Sequence, residues 1–158
     1  MRVTEEKQLQ LGATPISKIK FDPHSRDDVP QILQGLQHIY ITPKLKDPIL
    51  KILESLIPEK EKGRPGMDMW TIFVLASLRV NLDWDYDRLQ EMANEHSTIR
   101  KMLGHGAFDE DEKYKRQTLK DNLRLLTDTA LLEINQIVIN EGHTLLKKKV
   151  RRRLERAL

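Results

Sequence analysis

Seven side chains within positions 115–124, namely Lys115, Arg116, Gln117, Thr118, Lys120, Asn122 and Arg124, combine long cations with amide and hydroxyl groups. Such cations pair with phosphate oxygens, while amides and guanidinium forks match the donor and acceptor edges of bases. The chemistry implied is recognition through charge and hydrogen bonds, not bond making. Thr98, Arg100 and Lys101 form a smaller set of the same kind, and the same composition also describes a solvated helix face. At the C-terminal end, KKKVRRRLERAL surrounds a stripe of Leu146, Val150, Leu154 and Leu158 with cations. That pattern suits DNA, RNA, an anionic membrane or an acidic partner, and cations also suit the last turn of any helix.

Catalytic chemistry finds little footing. Asp109, Glu110, Asp111 and Glu112 form a consecutive acidic run rather than carboxylates converging on one point. The five histidines are scattered without a ligand pair at i, i+4 spacing, so no metal site is expected. Without cysteine the chain has no disulfide framework, no thiolate zinc site and no thiol nucleophile. Gly104-His105-Gly106 is too short for a phosphate loop and reads as a helix stop. No catalytic residue and no cofactor are expected.

The elements that must carry these groups follow from apolar periodicity. At 158 residues the chain is expected to form one compact body, all-α, a multi-helix bundle with helix-turn-helix-like elements and a long C-terminal helix. Ser25 opens a helix whose inner face is Val29, Ile32, Leu33, Leu36 and Ile39. Thr42-Pro43 starts a second, with Leu45, Ile49, Ile52, Leu53 and Leu56 inward. Residues 67–82 are apolar nearly all round, Val80 included, as expected of a helix enclosed by others. Asp83 or Asp85 caps the next helix, Ser97 caps a short one ending at Gly104, and GHGAFDEDE is a loop with little to bury. A helix from about Lys115 carries Leu119 and Leu123, and Thr127 caps the long last helix.

Charge is unevenly divided. Residues 142–158 hold seven cations against Glu155, a net +6, which leaves the remainder at −3 within the chain's formal +3. The exposed face of 85–95 sets Asp85, Asp87, Glu91 and Glu95 against Arg88 alone, so it is expected to repel phosphate and act as a support. The charged N-terminus does not fit a signal peptide, and no apolar run is long enough to span a bilayer. A cytoplasmic protein is expected, nucleoid-associated when bound to DNA, with no membrane partner.

Several segments together resemble a family. Gly63-Arg64-Pro65, the apolar helix ending in Leu78-Arg79, Asp85-Tyr86-Asp87-Arg88-Leu89 with Ala93 and Asn94, and Ile99-Arg100-Lys101-Met102-Leu103-Gly104 resemble the N-terminal domain of bacterial DDE-class insertion-sequence transposases. Gln117-Thr118-Leu119-Lys120-Asp121-Asn122, Leu125-Leu126-Thr127, Ile134-Asn135 and Gly142-His143 resemble the next helices of that domain in a less-classified insertion-sequence group. The likeness runs from about Ile19 to Lys149 and rests on the order and spacing of motifs.

The resemblance implies recognition of terminal inverted repeats and assembly on double-stranded DNA ends. By position, the helix with Gln117, Thr118, Lys120 and Arg124 becomes the reader, and Arg64, Arg100, Lys101, Lys115 and Arg116 become phosphate contacts. Lys147, Lys148 and Arg151 of the basic tail are expected to join them. Family members continue into an RNase H-like domain whose three carboxylates hold divalent metal ions. Here the chain turns into KKKVRRRLERAL instead, so no residue inherits a catalytic role. The expected organisation is a lead-in at 1–24, a DNA-binding domain at 25–146 and a basic tail at 147–158. The alternative is a helical protein-protein interaction module, a homodimer included, joined through the stripe of the last helix.

Overall fold

The computed structural model describes residues 12–22, 24–56, 67–108 and 111–141, and all their regular elements are helical, with no strand among the described residues. In order they are a 3-10 turn at Ile16–Lys18, α1 (Asp28–Ile41), α2 (Pro43–Leu56), α3 (Met69–Leu82), α4 (Tyr86–Glu95), α5 (Ser97–Met102) and α6 (Arg116–Leu123). Residues 128–141 form a further helix, α7. The expected all-α fold is present.

The buried helix α3 organises the bundle. Its residues Met69 through Ala76, and Leu78, are all buried, with α1 and α2 against it on one side and α4 and α6 on the other. Trp70 is pinned in this core by two aromatic neighbours and one hydrogen bond. Its ring meets Tyr40 edge-on at 4.9 Å and Phe73 at 5.7 Å, and its indole N–H donates to the Met102 carbonyl at 3.2 Å. A buried indole left without that acceptor would carry a desolvation cost of roughly 1–3 kcal/mol. Val80 departs from the expectation of an enclosed helix, for it is 55% exposed.

Several boundaries differ by a residue or two from the sequence reading. The N-cap of α1 is Asp27, whose carboxylate accepts from the Val29 N–H, while Ser25 accepts from the Asp27 N–H just upstream. Thr42 precedes α2 as expected, but its hydroxyl donates backward to the His38 carbonyl, so it closes α1 with its side chain. Pro48 sits inside α2, where it removes the bond that would reach the Lys44 carbonyl; its ring is exposed. Between Asp83 and Asp85 the work is divided. Asp85 caps α4 by accepting from the Arg88 N–H, whereas Asp83 adopts the left-handed conformation (φ 52°) that ends α3.

The cap of α5 is His96, not Ser97: its Nδ1 accepts from the Ile99 N–H at 3.3 Å. Past its last residue, Met102, this helix is closed off at Gly104, where φ is +87°. The His105 N–H reaches the Arg100 carbonyl and the Gly104 N–H reaches the Lys101 carbonyl, a paired closure that needs the left-handed residue. Thr127 caps α7 as expected, its hydroxyl accepting from the Ala130 N–H.

Candidate nucleic-acid interface

The helix α6 is amphipathic by construction. Leu119 and Leu123 are buried against α3 and α4, which turns Arg116, Gln117, Thr118, Asp121 and Arg124 to solvent and leaves Lys120 half-buried. Gln117 donates to the Asp121 carboxylate at 2.7 Å, and Asn122 donates to the Thr118 carbonyl one turn back. The expected reader is therefore exposed, although one of its amides is held by an acid on the same face.

The segment between α5 and α6 is tied down by a polar clamp that periodicity does not reveal. Tyr114 donates its backbone N–H to the Asn94 side-chain oxygen at 2.7 Å, and its carbonyl accepts from both Asn94 and Gln90. Its hydroxyl lies 2.6 Å from His105 Nε2, with the two rings edge-on. Gly106 approaches the N-terminal segment so closely that a Cβ there would lie 2.7 Å from the Ala13 backbone nitrogen. The segment expected to have little to bury is thus anchored at both ends.

This clamp changes the standing of two expected phosphate contacts. The Arg100 guanidinium donates to the carbonyls of Ala93 and Glu112, bridging α4 to the loop. Arg116 places its Nε 2.8 Å from the Asp87 carboxylate. Lys113 likewise reaches Glu95 and the Asn94 carbonyl. The acids of α4 that looked like a repelling face hold cations of the α6 approach. By contrast Lys101, Lys115 and Arg124 are exposed, and they and Lys120 enter no ion pair among the described residues. Arg64, Lys147, Lys148 and Arg151 lie outside the described residues.

Lys101 opens onto a polar pocket of about 580 Å³, shared with Arg100, His105, Lys113, Glu95 and Asp111. Its cations and acids are mixed, so its field is weak. Elsewhere His96 is shifted below its ordinary value of 6.5, chiefly because burial disfavours the imidazolium, with the Asp27 carboxylate opposing. Among the described residues no three His, Asp or Glu side chains gather as a metal site, and no helix is long and apolar enough to cross a membrane.

The missed residues, Asn94, Gln90, His105 and Tyr114, are joined across spacings of 9 to 24 residues. Gln90 and Asn94 are half-buried amides on α4, whereas His105 and Tyr114 lie on the loop, where no helical period marks them. No protein-family model, curated protein or solved structure matches the chain.

Proposed function

We propose that this chain is a helical DNA-binding domain of the insertion-sequence transposase kind, which reads the terminal inverted repeats of its element through α6. The observation that carries the reading is the setting of α6. One side is fixed on α3 and α4 through Leu119 and Leu123, and the other offers Lys115, Thr118 and Arg124 to solvent with the half-buried Lys120 beside them. A reader helix held from behind by a support helix is the arrangement that helix-turn-helix proteins use to enter a major groove. The ordered resemblance of the surrounding segments supports the same reading. Lys120 and Arg124 then address bases or flanking phosphates, Lys101 and Lys115 contact phosphate, and Arg100 and Arg116 act mainly by holding the loop and helix in place.

Fluorescence anisotropy with a short labelled duplex tests it directly. Binding is expected at ~50 mM salt and should weaken by orders of magnitude towards ~200 mM, because phosphate contacts release counterions. Lys120→Ala and Arg124→Ala should each weaken binding more than Arg88→Ala, whose guanidinium is paired with Glu91 at 3.2 Å. A chain that binds no duplex at low salt refutes the reading, and equal losses in all three variants refute the choice of α6. A second reading, a helical protein-interaction module, is favoured by an apolar groove between α1, α3 and α7.

A further inference from the structure

Arg79 is the cation of α3, placed in its last turn, and it uses its charge in neither of the ordinary ways. A cation there usually meets a free helix carbonyl or a nearby acid. Among the described residues the Arg79 side chain enters no hydrogen bond and no ion pair, although Asp83, Asp85 and Asp87 follow closely in the chain. Its guanidinium carbon instead lies 4.3 Å from the centre of the Tyr86 ring. Its Nε is buried and has no acceptor among the described residues. The two amino groups lack partners there too, yet they are not buried, so they face solvent.

Stacking on an aromatic face fixes the plane of a guanidinium and leaves its edge open for paired hydrogen bonds. A fork fixed in advance loses less freedom when an oxyanion arrives. Two of the three neighbouring acids are already engaged, Asp85 by the Arg88 N–H and Asp87 by Arg116. Asp83, which is exposed, is left to oppose an incoming anion. Buried polar groups normally find a partner, a bound ion or ordered water included, and the Nε–H of Arg79 is a donor that still requires one.

The place of this stack selects the oxyanion. Tyr86 is the first residue of α4, and the next residue, Asp87, reaches the first residue of α6 at 2.8 Å. The stack therefore stands at the end of α4 where α6 begins. We infer that Arg79, held in place by Tyr86, binds a backbone phosphate of the duplex beside the groove that α6 enters. The inference rests on the reading of α6 as the duplex-binding helix and adds to it a contact made from α3. A phosphate, not a base edge, is the target, because Arg79 issues from the helix behind the reader and not from the reader's outer face.

Anisotropy titrations of a labelled duplex over a range of salt, with a thermal melt of each protein, test the inference. Arg79→Gln keeps much of the aliphatic stem and removes the charge. It should weaken binding about tenfold and lower the salt dependence by roughly one phosphate contact, with little change in thermal midpoint because the guanidinium makes no hydrogen bond within the described fold. Arg79→Lys keeps the charge without the planar fork, so its salt dependence should match the wild type while its affinity falls between the two. Tyr86→Leu releases a guanidinium that is still charged, and should weaken binding several-fold at unchanged salt dependence. Wild-type affinity and salt dependence in Arg79→Gln overturn the inference, while Lys120→Ala and Arg124→Ala continue to report on α6. A loss of affinity in Arg79→Gln that comes with a lowered midpoint and an unchanged salt dependence also overturns it, since the stack then only holds α3 against α4. A wild type that binds no duplex removes the reading of α6 and the inference with it.

Discussion

The two sides of α3 are built from different physics. Towards α1 and α2 the contacts are almost wholly apolar, with Leu33, Ile49, Leu53 and Ile72 excluded from water, and this side opens at one end into the apolar groove, where Asp128 is the one charged residue among the described lining residues. Towards α4, α5 and α6 a thinner apolar seam of Leu89, Ile99 and Leu119 is supplemented by side chain to backbone bonds from Asn94, Gln90 and Arg100 and by ion pairs at Asp87 and Glu95. The short α5 and α6 cannot bury enough surface to stand alone, since isolated helices of their length are marginal in water. The polar clamp fixes their positions instead. The first side is expected to carry stability, and the second to carry orientation and sensitivity to pH and salt.

The largest test of that contrast lies in α3 itself. Leu75 has no exposed surface, so Leu75→Ala should lower the unfolding free energy by about 2–5 kcal/mol through lost burial and a residual cavity. Val80→Ala, on the same helix, should change it by less than about 0.5 kcal/mol. Urea denaturation reads both values. Comparable losses would mean that Val80 is covered in solution, which would itself point to occupation of the groove.

A smaller effect is expected from His96, which begins α5 on the polar side. The cap of α5 requires a neutral Nδ1 that accepts from the Ile99 N–H, and burial already disfavours the charged ring. Its pKa in the fold thus lies below 6.5, so the unfolded chain binds the proton more readily. By linkage, stability falls as pH drops through 6.5 and levels off below the folded value. His96→Asn keeps a capping acceptor but cannot titrate, so its stability should fall less between about pH 7 and pH 5. Parallel pH profiles for the two proteins would remove His96 as the source. Asp27, which opposes the shift from the start of α1, links this response to the apolar side.

These two regions also differ in how far the sequence disclosed them. Apolar spacing placed α1, α2, α3 and the inner face of α6 because burial repeats with the helical period, and it marked Leu119 and Leu123, both buried. Caps were less legible, since several neighbouring polar residues can accept the same N–H. The sequence offered Ser97 beside His96 and Asp83 beside Asp85, and the choice was made by how the chain turns. Least legible were the roles of Arg100 and Arg116. Their partners, Ala93, Glu112 and Asp87, lie 7 to 29 residues away and are defined only once α4 and the loop meet. Composition identified these cations as available for phosphate, but the fold had already given them neighbours.

Asp87 gives the smallest expected change in stability and the sharpest link between the polar side and DNA. Its pair with Arg116 is short, yet the side chains are 77% and 49% exposed, so Asp87→Asn should cost no more than about 0.5 kcal/mol. The same change removes one negative charge beside α6 and releases a guanidinium next to Lys115 and Lys120. If α6 faces the duplex, affinity should rise several-fold at low salt, and the salt dependence should steepen by roughly one phosphate contact. Adding Arg116→Ala to Asp87→Asn should abolish that gain, whereas Arg116→Ala alone should weaken binding only slightly because the wild-type guanidinium is already neutralised. Anisotropy titrations of the four proteins complete the cycle. If Asp87→Asn binds the duplex no better than the wild type, the cations of this side serve the clamp alone, and the search for a DNA surface moves to residues beyond α6.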